Sequence, residues 1–302
     1  MTTSTLTRPR SPRSPRSPRS PGTTRGTRVV RRAQAGRTAY VVLTVVLLGS
    51  AFPLWWSFVI GSKDSAAIVQ DPYSLVPGGH FLQNAATVVT TVPFWKALGN
   101  SVLVSGTVSL LVVLFSALAG FAFAKLRFRG RSGLLVFVIA TMAVPTQLGI
   151  VPLFIVMSKL GWIGSVWAVV LPSAVSAFGV FWMTQYLQEA LPDELIEASR
   201  VDGASTLRTF WSVALPAARP GAAMLGLFTF IATWTNFFWP FIVLDPGNPT
   251  LPVALQQLQA AYFVDYSLVL NGVVLMARPL IVLFVLAGKQ LVSGIMQGAV
   301  KG

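Results

Sequence analysis

The acidic side chains of this 302-residue sequence are few, and most of them gather in one stretch of the chain. There are nine Asp and Glu residues, one histidine and no cysteine, and five of the nine acids lie between Gln188 and Pro220. Glu194 and Glu197 have the i, i+3 spacing of a general acid/base pair, but no second polar cluster accompanies them. Without histidine pairs or cysteines, no nucleophile–base constellation can be assembled. The sequence therefore predicts no catalytic residue, no metal ligand and no enzyme.

The acidic segment, about 188–220, has the pattern of two short helices joined by a bend. Pro192 followed by Asp193 suits a helix start, because carboxylates stabilise the free N–H groups there. Gly203 can adopt a positive φ and end that helix sharply. A second helix, capped by Ser205 or Thr206, would end at Pro216, before Pro220 opens the next hydrophobic stretch. It would carry one apolar stripe: Leu207, Phe210, Trp211, Ala214 and Leu215. Two hypotheses stay open, a docking site for a partner and an amphipathic helix lying along a membrane surface.

The rest of the chain has the composition of a membrane protein. Charged residues make up 11% of it, against about 25% in soluble domains. Stretches of about 20 apolar residues cross a bilayer as helices. The first, Tyr40–Ile60, is too long for a signal-peptide core of roughly 7–15 residues, so we expect it to be retained. We predict an all-α integral membrane fold, a bundle of six transmembrane helices over Tyr40–Ile60, about Asn100–Ala124, Gly133–Met157, Ser165–Tyr186, Gly221–Val243 and Ser267–Gly288.

The positive charge, +14 in total, indicates orientation. Ten of the 23 Lys and Arg residues lie in residues 1–37, where Arg-Ser-Pro repeats predict a disordered tail. With this tail inside, 19 Lys and Arg face the cytoplasm and three face outward. We therefore expect a cytoplasmic tail rather than a nucleic-acid-binding or kinase-target arm. We also expect both termini to lie in the cytoplasm and a permease domain over 38–302 to lie in the cell membrane.

The bent acidic segment also resembles a known signature. The run Glu197-Ala198-Ser199 is followed by three residues and then Gly203, and after nine more residues by Val213 and Leu215-Pro216. This pattern is similar to the cytoplasmic EAA motif of ABC importer permeases. The resemblance is to the carbohydrate branch, and within it to the shorter six-span permease of the maltose-type pair, a type I importer. Further matching positions are Asn100-Ser101, residues 124–130, Met142, Pro145, Pro152 and the ending 298–302.

The resemblance implies that the two short helices are coupling helices, which dock on a separate ATPase subunit. The chain has no phosphate-cradling glycine loop, so we expect it to bind no cofactor, with ATP and Mg used by the ATPase dimer. The other implied partners are a second permease subunit, an extracytoplasmic solute-binding protein and membrane lipid; no nucleic acid is expected. The implied coupling residues are Glu197, Ala198, Arg200, Asp202, Gly203, Leu215 and Pro216.

The predicted function is import of a sugar or oligosaccharide by alternating access. A polyol or glycerol phosphate is the open alternative. An ion-coupled carrier is less favoured, because the spans contain one charge, Arg278, and no acid. Candidate residues of the solute pathway are Gln147, Asn236, Asn271 and Arg278. Each has a structural alternative: hydrogen bonds between helices for the amides, and freed backbone carbonyls or a partner-subunit acid for Arg278. Asn236 also departs from the family, where an acid is common.

Overall fold

The computed structural model describes residues 36–71, 73–259 and 264–299, with side chains as far as 286, and this part of the chain is helical without a strand. Most of the predicted tail, residues 1–35, and the last three residues lie outside it. The helices are α1 (Arg37–Gly61), α2 (Ser65–Gln70), α3 (Phe81–Thr91), α4 (Phe94–Lys125), α5 (Arg131–Thr141), α6 (Ile150–Lys159), α7 (Trp167–Val170), α8 (Ala177–Ala190), α9 (Asp193–Val201), α10 (Thr206–Thr209), α11 (Leu215–Trp234), α12 (Phe238–Val243), α13 (Leu251–Gln257) and α14 (Tyr266–Ala299).

Four helical segments in the described chain are long and apolar enough to cross a membrane: Arg37–Gly61, Phe94–Lys125, Thr206–Trp234 and Tyr266–Leu286. The pair Arg131–Thr141 and Thr146–Lys159, bent by 88°, makes up to five. The break in this pair lies at Pro145, which disfavours helical backbone in the residue before it. These segments confirm an all-α membrane protein.

The predicted fourth span, 165–186, is not one helix. It divides into α7 and α8, with residues 171–176 between them. Pro172 lacks the N–H that would continue α7. Ser176 then caps α8, its hydroxyl accepting the N–H of Gly179 at 3.1 Å. The fifth predicted span, 221–243, also divides, because α11 ends at Trp234 and α12 begins at Phe238.

The main hydrophobic core is formed where α4, α8 and α11 pack together. Buried side chains from all three helices belong to it, among them Val112, Leu187 and Leu225. α4 and α8 approach closely at Gly120, where an added Cβ would lie 2.7 Å from the Cβ of Met183. Small residues allow such backbone contact in membrane helices, where packing drives association. α4 packs against both α8 and α11 in this core.

A second core joins α3, α13 and α14 to the end of α11. Trp234 is buried in it, and its Nε1 donates to the carbonyl of Met276 on α14 at 3.3 Å. Ser101, near the start of α4, accepts the N–H of Leu251 at 2.8 Å. Asn100 donates to the side chain of Asn248 at 3.0 Å and to the Pro249 carbonyl at 2.9 Å. The start of α4 is thereby tied to the 244–251 segment.

The predicted helix end at Pro216 is wrong. A π-helical turn, Phe210–Ala214, joins α10 to α11, so that the helix runs without interruption from Thr206 to Trp234. In this turn the N–H of Leu215 bonds to the carbonyl of Phe210, five residues back. Pro216 follows directly, and the one-residue shift in hydrogen-bond register absorbs its missing N–H. The second of the two predicted coupling helices and the next membrane-spanning segment are therefore one continuous helix.

Candidate coupling site and solute cavity

The first arm of the bent segment, α9, begins and ends where the sequence predicts. It starts at Asp193, after Pro192, and Gly203 beyond its end has a φ of 76°. The N–H of Gly203 bonds to the Arg200 carbonyl at 3.0 Å, and the N–H of Ala204 bonds to the Ser199 carbonyl at 2.9 Å. These two bonds form a Schellman motif, which satisfies the free carbonyls of the last turn.

The second arm, α10, is held against the first by a buried hydroxyl pair. Ser205 caps α10 by accepting the N–H of Arg208 at 3.3 Å. The hydroxyls of Ser199 and Thr209 lie 3.0 Å apart, and both residues are buried. Ile196, also buried, completes the inner face of α9. The two arms thus form one bent unit, 193–214, which we call the coupling element.

The predicted coupling residues divide between the surface and the root of this element. Glu197, Ala198, Arg200, Asp202 and Gly203 are all exposed on or just after α9, whereas Leu215 and Pro216 are half-buried at the start of α11. The first five therefore form a surface that a partner can reach. Leu215 and Pro216 are positioned to join that surface to a membrane span.

The predicted apolar stripe is not a single buried face. Phe210 and Ala214 are buried, but Leu207 is 61% exposed and Trp211 is 51% exposed. The π turn changes the angular spacing of side chains along the helix, so positions that share a face in an α-helix separate here. Leu207 and Trp211 add apolar area to the outer side of the coupling element.

An ion pair that sequence reasoning missed lies at the start of α9. Lys125, the last residue of α4, places Nζ 2.7 Å from Oδ1 of Asp193. The hydrogen bond and charge of Lys125 lower the pKa of the Asp193 carboxyl, and Arg127 and Arg131 add to the effect. The sequence contained one indication of this pair, because Lys125 and Asp193 both lie next to predicted helix ends on the side predicted to be cytoplasmic.

A cavity of about 890 Å³ lies among α4, the bend between α5 and α6, residues 172–178 and the end of α11. Gln147 and Asn236, two of the predicted pathway residues, line it. Its described lining contains no charged side chain. Four aromatic residues contribute apolar surface: Phe178, Phe228, Phe238 and Trp239. The polar lining consists of Thr141, Thr146, Gln147, Ser173, Ser176, Thr229, Thr233 and Asn236.

Asn271 and Arg278, the other two predicted pathway residues, do not line this cavity. Asn271 is buried, and its Nδ2 donates to the carbonyls of Gly61 and Phe81, each at 3.0 Å. Asn271 therefore forms hydrogen bonds between helices, which was the alternative to a role in the solute pathway. The guanidinium of Arg278 lies 5.4 Å from the centre of the Phe81 ring, in cation–π contact. Both side chains join α14 to the start of α3.

Three kinds of comparison bear on this architecture. Residues 112–292 match the family model described as "Binding-protein-dependent transport system inner membrane component". The chain is 31% identical over 257 residues to the arabinooligosaccharides transport system permease protein AraQ of Halalkalibacterium halodurans, covering 84% of this chain and 92% of that protein. It is 32% identical over 220 residues to the sn-glycerol-3-phosphate transport system permease protein UgpE of Salmonella typhi, covering 70% of this chain and 78% of that protein.

The fold also matches a solved structure. The crystal structure of a bacterial ABC transporter involved in the import of the acidic polysaccharide alginate contains a chain that superposes with a TM-score of 0.71. The match covers 83% of the present chain and 94% of that chain. Sequence identity is 22%, so this likeness concerns the fold alone.

Proposed function

The chain belongs to the family of binding-protein-dependent transport system inner membrane components, and from that premise we propose that it is the membrane-spanning permease subunit of an ATP-driven sugar or oligosaccharide importer. The observation that carries the proposal is the coupling element. It presents Glu197, Asp202 and Gly203 at its surface and continues through a π turn into a membrane span. A partner that pushes on this surface moves the span directly.

The proposed mechanism needs a separate ATPase on the cytoplasmic side. The ATPase dimer would hold ATP and Mg, and a cleft on one of its subunits would receive the coupling element of this chain. This chain would bind no nucleotide, and a second permease subunit would complete the pathway. A solute-binding protein would deliver solute from outside. The proposed orientation rests on the charge bias, which favours a cytoplasmic coupling element and two cytoplasmic termini.

Movement would reach the solute through α11. The second arm of the coupling element, its π turn and α11 form one helix, Thr206–Trp234, and the upper part of α11 lines the cavity with Phe228, Thr229 and Thr233. From Arg208 to Phe228 is about 30 Å along the axis at roughly 1.5 Å per residue. Closure of the ATPase dimer would tilt this lever and open the cavity to alternate sides of the membrane.

The cavity lining favours a neutral, hydroxyl-rich solute. Hydroxyl and amide side chains offer both donors and acceptors, which suits sugar hydroxyls. The aromatic side chains offer apolar surface for the C–H faces of a pyranose or furanose ring. The described lining has no Lys or Arg, which a phosphate-bearing solute would be expected to meet. These features favour a sugar over glycerol phosphate, although a relative is named for glycerol phosphate.

The test is reconstitution of the whole importer in proteoliposomes, with the ATPase and the binding protein supplied from the same system. We expect ATP-dependent uptake of a neutral sugar that neutral sugars outcompete and sn-glycerol 3-phosphate does not. Uptake that persists without the ATPase and collapses with an ion gradient would refute the importer assignment. Competition by glycerol phosphate alone would refute the solute assignment and leave the importer assignment standing.

A further inference from the structure

The last residue of α4 and the first residue of α9 form the only ion pair found among the described side chains. The two partners differ sharply in burial. The Lys125 side chain is 7% exposed, whereas the Asp193 side chain is 78% exposed. A buried ammonium is costly unless it is paired, so Lys125 depends on Asp193 more than Asp193 depends on Lys125.

The surroundings of the pair strengthen this dependence. Arg127 and Arg131 also lie close enough to act on the Asp193 carboxylate. With Asp193 neutral, Lys125 would be left in a region of like charge. The pair also suits both helix ends, because cations favour a helix C-terminus and anions favour an N-terminus. The burial of Lys125 and the neighbouring charges therefore both favour the paired state of Lys125 and Asp193.

A second contact joins α4 to the other arm of the coupling element. The rings of Phe121, on α4, and Phe210, in the π turn, lie 5.8 Å apart, and both residues are buried. The cytoplasmic end of α4 is therefore held at two points, by α9 through Asp193 and by the π turn through Phe210. Since Ser199 and Thr209 bind the two arms together, α4 is attached to the coupling element as a whole.

We propose that Lys125 is a positioning residue that makes α4 move with the coupling element during the transport cycle. This inference rests on the proposed function. α4 lines the cavity with Val108 and Val112, and Val112 lies about 20 Å along the axis from Lys125 at roughly 1.5 Å per residue. The coupling element would then move two walls of the cavity together, α11 through the continuous helix and α4 through the ion pair.

The experiment measures whether α4 and α9 keep their separation when the ATPase closes. This chain has no cysteine, so spin labels at Leu110→Cys and Leu195→Cys are its only labelled sites, and the partner subunits are used in cysteine-free form. These positions on α4 and α9 are 69% and 48% exposed, and Leu195 is not one of the predicted coupling residues. The distance is measured in the complete importer in lipid, without nucleotide and with ATP plus vanadate. In the otherwise unaltered protein we expect the same distance in both states.

Removing the ion pair should loosen α4 from α9, because the remaining Phe121–Phe210 contact holds α4 only to the π turn. Lys125→Gln should produce a nucleotide-dependent shift of about 2 Å, the size of a typical helix displacement, and Asp193→Asn a larger one, because it leaves a buried charge unpaired. Lys125→Arg should keep the distance constant. Lys159→Gln is the matched control, since this exposed lysine also ends a helix. If Asp193→Asn does not assemble, the Lys125→Gln variant decides whether the ion pair couples α4 to α9. This variant should assemble, because the carboxylate that it leaves unpaired is exposed to solvent.

The outcomes separate the inference from the function on which it rests. A complex that assembles and hydrolyses ATP, but in which Lys125→Gln leaves the separation constant, overturns the role of Lys125 alone. The same conclusion follows if the separation already shifts in the unaltered protein. A chain that does not assemble with an ATPase overturns the proposed function.

Discussion

The left-handed backbone at Gly203 gives the most direct test of the coupling element. Gly203 has a φ of 76°, and no heavy atom lies within 4 Å of a Cβ added there. A side chain introduced at this position therefore makes no steric clash, and the free-energy cost of the substitution comes only from the backbone conformation. For a non-glycine residue this costs about 1–2 kcal/mol, and the β-branched side chain of Gly203→Val places it toward the upper end.

The magnitude determines what is measured. A penalty of about 1–2 kcal/mol lowers the equilibrium constant between the bent and the unbent geometry by a factor of roughly 5–30. We expect Gly203→Val to insert in the membrane normally but to retain the ATPase poorly on co-purification and to lower ATP-dependent uptake by up to that factor. Gly203→Asn should lose much less, because asparagine tolerates the left-handed region.

The matched control is Gly106→Val, the same substitution in α4. There too no atom lies within 4 Å of an added Cβ, but the backbone is helical and its φ is negative. Uptake and ATPase retention should be close to those of the unaltered chain. If Gly203→Val assembles with the ATPase and supports uptake at the unaltered rate, the bend at Gly203 has no part in coupling.

Three further predictions concern the cavity, the core and pH. Gln147→Ala and Asn236→Ala should each raise the KM for sugar uptake about two- to tenfold, the range of one neutral hydrogen bond. Asn271→Ala should leave this KM unchanged and lower the Tm in detergent. The reverse pattern would contradict the assignment of Gln147 and Asn236 to the solute cavity. Gly120→Val should lower the stability by about 1–3 kcal/mol through overpacking, seen as a lower Tm, and an unchanged Tm would refute the close α4–α8 contact. The pKa of Asp193 is lower in the folded protein than in an ordinary Asp. The ion pair therefore stabilises the fold at every pH above the ordinary pKa of Asp, and this stabilisation is lost only as the pH falls through the lowered pKa. The α4–α9 spin-label distance should therefore stay independent of nucleotide from pH 8 to below about pH 4, where an ordinary Asp carboxyl is half protonated. A change centred near pH 4 would show that the pKa of Asp193 is not lowered.

Local sequence was a good guide where one short-range cause decides the structure. Pro192 and Asp193 start α9, and Gly203 ends it with the expected positive φ. The membrane segments were also readable, because a bilayer requires long apolar helices whatever their neighbours. Helix breaks were less readable: Pro172 interrupts the fourth predicted span, yet Pro216 does not interrupt the helix that contains it.

The two prolines differ for a tertiary reason. The residues after Pro172 leave helical geometry, and Ser176 caps a new helix. Before Pro216, the π turn shifts the hydrogen-bond register, while Phe210 is held in the core against Phe121. The sequence contains both prolines but not the packing that determines which one the helix tolerates.

The candidate solute residues show the same division. Gln147, Asn236 and Asn271 are alike in sequence, as amides in apolar segments. The first two line the cavity, and the third bonds to the carbonyls of Gly61 and Phe81. The sequence by itself determined the membrane class, the orientation bias and the bend of the coupling element, because these depend on composition and on nearest neighbours. The tertiary structure decided which polar groups meet the cavity and which hold helices together, and it paired Lys125 with Asp193, because residues far apart in sequence become neighbours only when the helices pack.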